Sequence, residues 1–195
     1  FLDVSDIVET QKSRFLDVAT RSMYLYNNET KKRSYYAVPM KASGATFHIW
    51  KSLVEKAGYK VSDIPNKWDE FIDFFKPMQQ KLRDKGMRRV YSWALEVSTN
   101  GTDPIRTFSV YNLAYGGGDM VTPDGVLHAD DPKIKDAVTR TMSRMSELYH
   151  GGYVPKSAIS WNDADNNNTF HSKQVVAIYN GSLSIELALI DKKEE

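Results

Sequence analysis

The feature that most constrains the fold is the alternation of helix-like and strand-like segments, each bounded by glycine, proline or clustered polar residues. Apolar side chains recur at helical spacing over 68–82 and 134–148, whereas 90–95 and 175–179 are short apolar runs typical of buried strands. Strands that alternate with helices are typical of layered α/β proteins. The sequence therefore predicts an α/β fold.

Proline and clustered polar residues set the boundaries of the first elements. A strand is predicted over 35–38, where Pro39 ends it, because aromatic and β-branched side chains favour strands and proline cannot donate to a ladder. Helical spacing predicts one helix over 46–57 and another over 66–86, capped by its first residue, an asparagine. Pro77 lies inside the second pattern, so we expect that helix to be kinked or divided there.

Two aspartate–proline pairs indicate helix starts in the second half of the chain. Asp103 and Asp131 each offer a carboxylate to the free amides of a first turn, where the following proline needs no amide partner. Between them, 122–125 has the composition of a tight turn that joins two short strands. Apolar residues over 183–190 predict the start of a last helix.

The composition excludes several classes of function. Lys and Arg number 26 against 25 Asp and Glu, so no strong electrostatic field would attract nucleic acid. Cysteine is absent and the four histidines lack metal-ligand spacing, which excludes thiol chemistry and predicts neither a histidine-based metal site nor a cofactor. The run 163–168 lacks the glycine and the closing glutamate of an EF-hand, so we interpret it as a polar capping loop.

Polar side chains collect where predicted strands give way to helices. One group, 98–103, follows the 90–95 strand; a second, 180–182, follows the 175–179 strand; a third lies in the loop around Trp161. In open α/β sheets, ligands bind beyond the carboxyl ends of the strands, and an aromatic ring beside Asp and Asn groups suits a polyhydroxylated ligand. The candidate ligand-binding residues are Asn100, Asp103, Trp161, Asp163, Asn180 and Ser182.

Two of these candidates also have ordinary structural interpretations. Trp161 fits core packing beneath a loop as well as it fits a sugar-stacking ring, and the sequence leaves both open. Asp103 fits a helix N-cap, a role that is compatible with an exposed side chain.

Four motifs occur in a fixed order along the chain. Residues 36–39 read YAVP, 50–58 read WKSLVEKAG, 65–71 read PNKWDEF and 170–182 read FHSKQVVAIYNGS. They resemble an inter-lobe strand that ends in proline, an LFEKAG-type helix, a Pro-Trp-acidic helix start and an FxxGKxAMxxNGxW phrase. In this order they are similar to family 1 of the extracellular solute-binding proteins of ABC importers, the maltose-binding-protein-like group. The chain departs from that family's usual residues at Trp50, Ser172 and Leu183.

The resemblance implies a periplasmic-binding-protein type II-like fold, in which two α/β lobes are joined by a hinge. Residues 1–40 would form the end of lobe 1 and the hinge strand, and 41–195 most of lobe 2, so we expect the chain to be a fragment. It further implies a monomeric substrate-binding component of an ABC importer, without cofactor or catalysis. Such a receptor closes on a small polar solute, here a sugar or oligosaccharide, and delivers it to the membrane permease.

The same resemblance implies export, to a periplasm or to the outer face of a membrane by way of an anchor. No stretch of the chain approaches the ~18 apolar residues of a membrane helix. The sequence opens at Phe1 without a signal segment, so we expect the natural N-terminus to precede it.

Two other classes of function stay open. A carbohydrate-active enzyme would use two carboxylates among Glu96, Asp103 and Asp163 as acid and base, and turnover of a glycoside would reveal it. A protein-interaction module would expose an apolar patch and would not be stabilised by small molecules.

Overall fold

Helices and strands alternate along the chain, as the sequence predicts. The structure is a computed structural model that describes residues 1–40, 46–122, 124–181 and 184–190. Its α-helices are α1 Ser5–Gln11, α2 Asp17–Met23, α3 Lys51–Lys56, α4 Trp68–Phe74, α5 Lys76–Asp84, α6 Asp103–Ala114, α7 Pro132–His150, α8 Asp165–His171 and α9 Ser184–Leu187. Its strands are β1 Tyr24–Asn27, β2 Lys32–Tyr35, β3 Thr46–Ile49, β4 Tyr91–Ala94 and β5 Val175–Asn180.

The N-terminal segment forms two short helices and a β-hairpin. Strands β1 and β2 pair antiparallel from Tyr24 opposite Tyr35 to Asn27 opposite Lys32. The Asn27 side chain accepts the backbone amides of residues 29 and 30, which folds the polar run back on itself. The prediction of a strand over 35–38 is therefore wrong: the strand is β2, which ends at Tyr35, and the polar residues before it belong to the hairpin.

A three-stranded sheet in the order β3-β5-β4 forms the centre of the larger part of the molecule. Strand β5 is antiparallel to β3 and parallel to β4. Residues 175–178 are completely buried, and 91–94 form β4, so the predictions of buried strands over 90–95 and 175–179 are confirmed.

The predicted helix over 46–57 is wrong in its first half, where 46–49 form strand β3 and only Lys51–Lys56 are helical. Contacts with distant parts of the chain override the local helical pattern here. Phe47 meets Phe71 and Tyr179 at ring-centroid distances of 5.0 and 5.2 Å, which holds this segment against β5.

The predicted helix over 66–86 is divided into α4 and α5, with Pro77 in the first turn of α5, as its position indicated. The capping residue is Lys67, which makes no side-chain cap, so the prediction of an Asn66 cap is wrong. Helix α7 packs alongside, and the Arg144 guanidinium binds Asp69 and Asp73 of α4 at 2.9 Å each. These ion pairs join α7 to α4.

The two aspartate–proline helix starts differ in detail. Asp131 caps α7 as predicted, because its carboxylate accepts the amides of Lys133 at 2.9 Å and Ile134 at 3.3 Å. Asp103 does not cap α6; it is the first helical residue, and Thr102 takes the N-cap position. The turn at 122–125 is flanked by a single bridge from Val121 to Leu127 rather than by two strands, and Pro123 lies outside the described residues.

None of the helices in the described part of the chain combines the length and the apolar composition that crossing a bilayer requires.

Candidate functional site

The carboxyl ends of β4 and β5 lie at one edge of the sheet, because these two strands run parallel. The chain that leaves β4 reaches the N-terminus of α6 at Asp103, and the loop that precedes α8 arrives at the same place. Polar side chains from three separate segments therefore meet here. We call this group the strand-end cluster: Glu96, Ser98, Asn100, Thr102, Asp103, Asp163, Asn166 and Asn180.

Asp163 joins the loop before α8 to the start of α6. Its Oδ1 accepts the backbone amides of Thr102 at 2.5 Å and Asp103 at 3.1 Å, and its Oδ2 accepts the Thr102 hydroxyl at 3.0 Å. These bonds, led by the Asp103 amide, lower the pKa of the Asp163 carboxyl. Asp163 is thus an ionised cap on α6, supplied from 60 residues away in the sequence.

The sequence predicts Asp103 as the cap of α6, but its side chain makes other contacts. Its half-buried carboxylate accepts the Asn166 side-chain amide at 2.7 Å and lies 3.8 Å from the Arg106 guanidinium. On the neighbouring strand, the Asn180 amide donates to the Asn167 side chain. The first turn of α8 therefore binds one side chain at the start of α6 and one at the end of β5.

Glu96 is the most buried member of the cluster, with 1% of its surface exposed. Its Oε1 accepts the Ser98 hydroxyl at 3.1 Å, whereas no described residue donates to Oε2. Burial raises the pKa of the Glu96 carboxyl to about 7, and the negative charges of Asp103, Asp163 and Asp165 add to that shift against the lowering effect of Ser98. An oxygen from each of Glu96, Asp103 and Asp163 lies within 4.8 Å of the other two.

Gly101 allows these carboxylates to approach the backbone. A β-carbon at this position would collide with Asp163 Oδ1 and would lie 2.5 Å from Glu96 Oε1. The space beside the backbone is thus already taken by carboxylate oxygens, which is a structural reason for glycine here.

The other predicted site residues occupy different environments. Asn100 is exposed, and its amide donates to the backbone carbonyl of Ser160 at 3.3 Å. Trp161 is 6% exposed within the core cluster, and its indole donates to the Ser157 hydroxyl at 3.0 Å, as the core-packing interpretation expects. Ser182 lies outside the described residues.

Sequence reasoning did not include Ser98, Thr102 or Asn166 among the site residues. Ser98 and Thr102 lie within the polar run after β4, so the run itself was the available signal. The sequence contains no signal for Asn166, because one asparagine in an amide-rich stretch cannot be distinguished from its neighbours until the helix register is known.

An apolar groove adjoins the cluster between α6, α7 and the 3₁₀ helix Lys156–Ser160. It encloses about 750 Å³ and reaches Ser98 and Gly101 at one end. Its walls include Ile105, Met142 and Ile159, which are 69%, 56% and 59% exposed.

The comparisons with known proteins identify the family. The model of the bacterial extracellular solute-binding proteins matches residues 1–194. The chain therefore belongs to that family, whose members are binding proteins rather than enzymes. A comparison with curated protein sequences gave no match.

Several solved structures of similar fold contain a bound sugar. Maltose-bound MalE3 of T. maritima is 21% identical, with a TM-score of 0.64, over 92% of this chain and 41% of its own. A sugar transporter from Arthrobacter chlorophenolicus A6 with bound laminaribiose is 20% identical, with a TM-score of 0.69, over 98% and 44%. A solute-binding protein of Thermotoga lettingae TMO with bound α-D-tagatose is 18% identical, with a TM-score of 0.60, over 100% and 51%. This chain thus spans about half the length of these proteins, consistent with a fragment that covers mainly one lobe.

Proposed function

We propose that this chain is part of the substrate-binding component of an ABC importer, which captures a sugar or oligosaccharide and delivers it to a membrane permease. In this proposal residues 1–40 are the end of lobe 1 and the hinge strand, and 41–195 are most of lobe 2. The receptor is exported, acts as a monomer in a periplasm or anchored at a membrane surface, and closes on its solute about the hinge. The family and the sugar-bound structures of the same fold support the class of ligand.

The observation that carries the proposal is the strand-end cluster. It lies where ligands bind in open α/β sheets, beyond the carboxyl ends of the strands. Carboxylates such as Asp103 and Asp163 accept hydrogen bonds from sugar hydroxyls, and the exposed Asn100 amide both donates and accepts. The helix contacts already described hold these groups in place, so binding need not order them first.

The remaining proposed residues complete the site. Asn180 is the last residue of β5 and belongs to the cluster, and Ser182 follows it two residues later in the sequence. Trp161 is assigned a supporting part, because its buried ring lies two residues before Asp163 and anchors the loop that carries that carboxylate.

A thermal-shift screen of the full-length protein against sugars, oligosaccharides, polyols, sugar phosphates and amino acids tests the proposal. A solute at 100 times its dissociation constant should stabilise the receptor by about 2.7 kcal/mol. We expect one sugar class to raise the melting temperature without being consumed. Conversion of a glycoside would instead favour the enzyme, and no response to any compound would exclude a small-molecule receptor for these classes.

Two substitutions connect the binding to this site. Asn100→Ala and Asp103→Asn each remove or weaken a hydrogen bond to solute, and we expect at least about tenfold weaker binding from the loss of about 1.4 kcal/mol each. Asp136→Asn, an exposed carboxylate on α7, is the matched control and should bind as the unaltered protein does. Equal affinities for all three variants would place the solute elsewhere.

One observation favours a second candidate function, a protein-interaction module. The groove between α6 and α7 exposes Ile105 and Met142, and exposed apolar patches mark interaction surfaces. Ile105→Ser would abolish association with a protein partner under this candidate, whereas it should leave solute binding at the strand-end cluster unchanged.

A further inference from the structure

We propose that Glu96, Asp103 and Asp163 bind one divalent cation, and that Ca²⁺ is the ion they fit. The three residues offer oxygens that lie within 4.8 Å of one another. Calcium binds oxygen ligands at about 2.3–2.6 Å, so two ligands on opposite sides of the ion are up to about 5 Å apart. Magnesium demands near-ideal octahedral geometry and keeps several of its waters, whereas calcium accepts irregular sets of carboxylate oxygens such as this one.

The buried carboxylate of Glu96 is the independent observation that points to a ligand. Glu96 is 1% exposed, its Oε2 has no hydrogen-bond partner among the described residues, and an oxygen of its carboxylate lies within 4.8 Å of oxygens of Asp103 and Asp163. Buried polar oxygens normally have a partner. A cation held by the three carboxylates supplies one to Glu96.

The charge around the cluster also favours a cation. Among the described residues, Arg106 forms the one ion pair recorded with these three carboxylates, at 3.8 Å from Asp103, and its side chain is 58% exposed. Three neighbouring carboxylates thus face a single, solvent-screened positive charge, and a divalent ion would offset the excess.

The ligands come from separate segments, after β4, at the start of α6 and before α8, so the site differs from a contiguous calcium loop. Gly101 makes it possible, because its missing side chain is what lets Glu96 and Asp163 meet against the backbone. The inference does not rest on the proposed solute, and its test contains no sugar.

Titration of the chelator-treated, full-length protein with CaCl₂ tests the site. By calorimetry we expect one ion per chain with a dissociation constant of roughly 10⁻⁴–10⁻³ M, the range of extracellular calcium modules. The melting temperature should rise with Ca²⁺ and fall again on addition of EDTA. Absence of binding at millimolar Ca²⁺ overturns the inference.

Substitutions locate the ion. Glu96→Gln and Asp103→Asn each replace a carboxylate by a neutral amide of the same shape, and each should weaken Ca²⁺ binding at least tenfold, while Asp136→Asn should not change it. If Glu96 is instead a neutral, protonated carboxyl that needs no ion, Glu96→Gln will bind Ca²⁺ as the unaltered protein does, and the assignment is wrong. Asp163 is left intact in these variants because it also caps α6.

Discussion

At the scale of single residues, Gly101 matters most for the site. Gly101→Ala would place a methyl group against Asp163 Oδ1 and Glu96 Oε1, both of which are held by other bonds. We expect a loss of about 1–3 kcal/mol in the free energy of unfolding, the usual cost of overpacking. Gly181→Ala is the matched control, since a β-carbon there would have no atom of the described residues within 4 Å. Urea unfolding of both variants measures the difference, and equal stability would show that the carboxylates move aside freely.

The buried carboxyl of Glu96 predicts a pH dependence of stability in the presence of EDTA. Its pKa rises from 4.5 when unfolded to about 7 when folded, so the folded state binds the proton more tightly. The free energy of unfolding should therefore fall by roughly 2–3 kcal/mol as the pH rises from about 4.5 to about 7, and level off above. Glu96→Gln removes the titrating group and should flatten this part of the profile. An unchanged slope in chemical denaturation at several pH values would contradict the assignment.

The role of a residue could be predicted from the sequence where its contacts are with residues nearby in the chain. Asp131 caps the helix that follows it directly, so its local sequence was sufficient. Asp103 has the same local sequence, but α6 begins one residue earlier, with Thr102 at its N-cap, and the Asp103 carboxylate accepts the Asn166 side-chain amide instead. Asn166 lies 63 residues further along the chain, so the local sequence around Asp103 cannot indicate this contact.

At the scale of elements, α6 depends on a cap that it does not carry itself. Asp163→Ala removes the acceptor for two backbone amides and a hydroxyl, and we expect a loss of about 1–2 kcal/mol in stability. Asp131→Ala should cost a similar amount at α7, whereas Asp136→Ala should cost almost nothing. Guanidinium unfolding of the three variants checks the order, and a stable Asp163→Ala variant would show that water replaces the cap.

The elements that were predicted well have strong local signals. Helix α7 has sustained apolar periodicity and its own cap, and β5 is a continuous apolar run. Strand β3 was mistaken for helix because four residues carry too short a pattern, and its pairing with β5 connects Thr46 to Asn180. The hairpin of β1 and β2 was missed because its second strand is largely polar, so its strand character comes from cross-strand hydrogen bonds rather than from burial.

At the scale of the whole molecule, the proposed receptor should become more compact when it binds. Closure of two lobes on a solute predicts a smaller radius of gyration for the full-length protein, measured by small-angle X-ray scattering with and without the solute that the thermal screen selects. Asn100→Ala should need about tenfold more solute for the same contraction. A radius that stays constant at saturation would rule out hinge closure while leaving binding itself intact.

Asp163 has a consequence for how such a receptor can change its preference over time. The side chain that faces the proposed ligand also caps α6. A lineage, or a protein engineer, that alters this position to accept another solute therefore weakens the scaffold in the same step. Asn100 is exposed and donates one long hydrogen bond to a carbonyl, so its side chain contributes less to the stability of the fold. New specificities should accordingly arise first at Asn100, and changes at Asp163 should follow only after a stabilising substitution elsewhere.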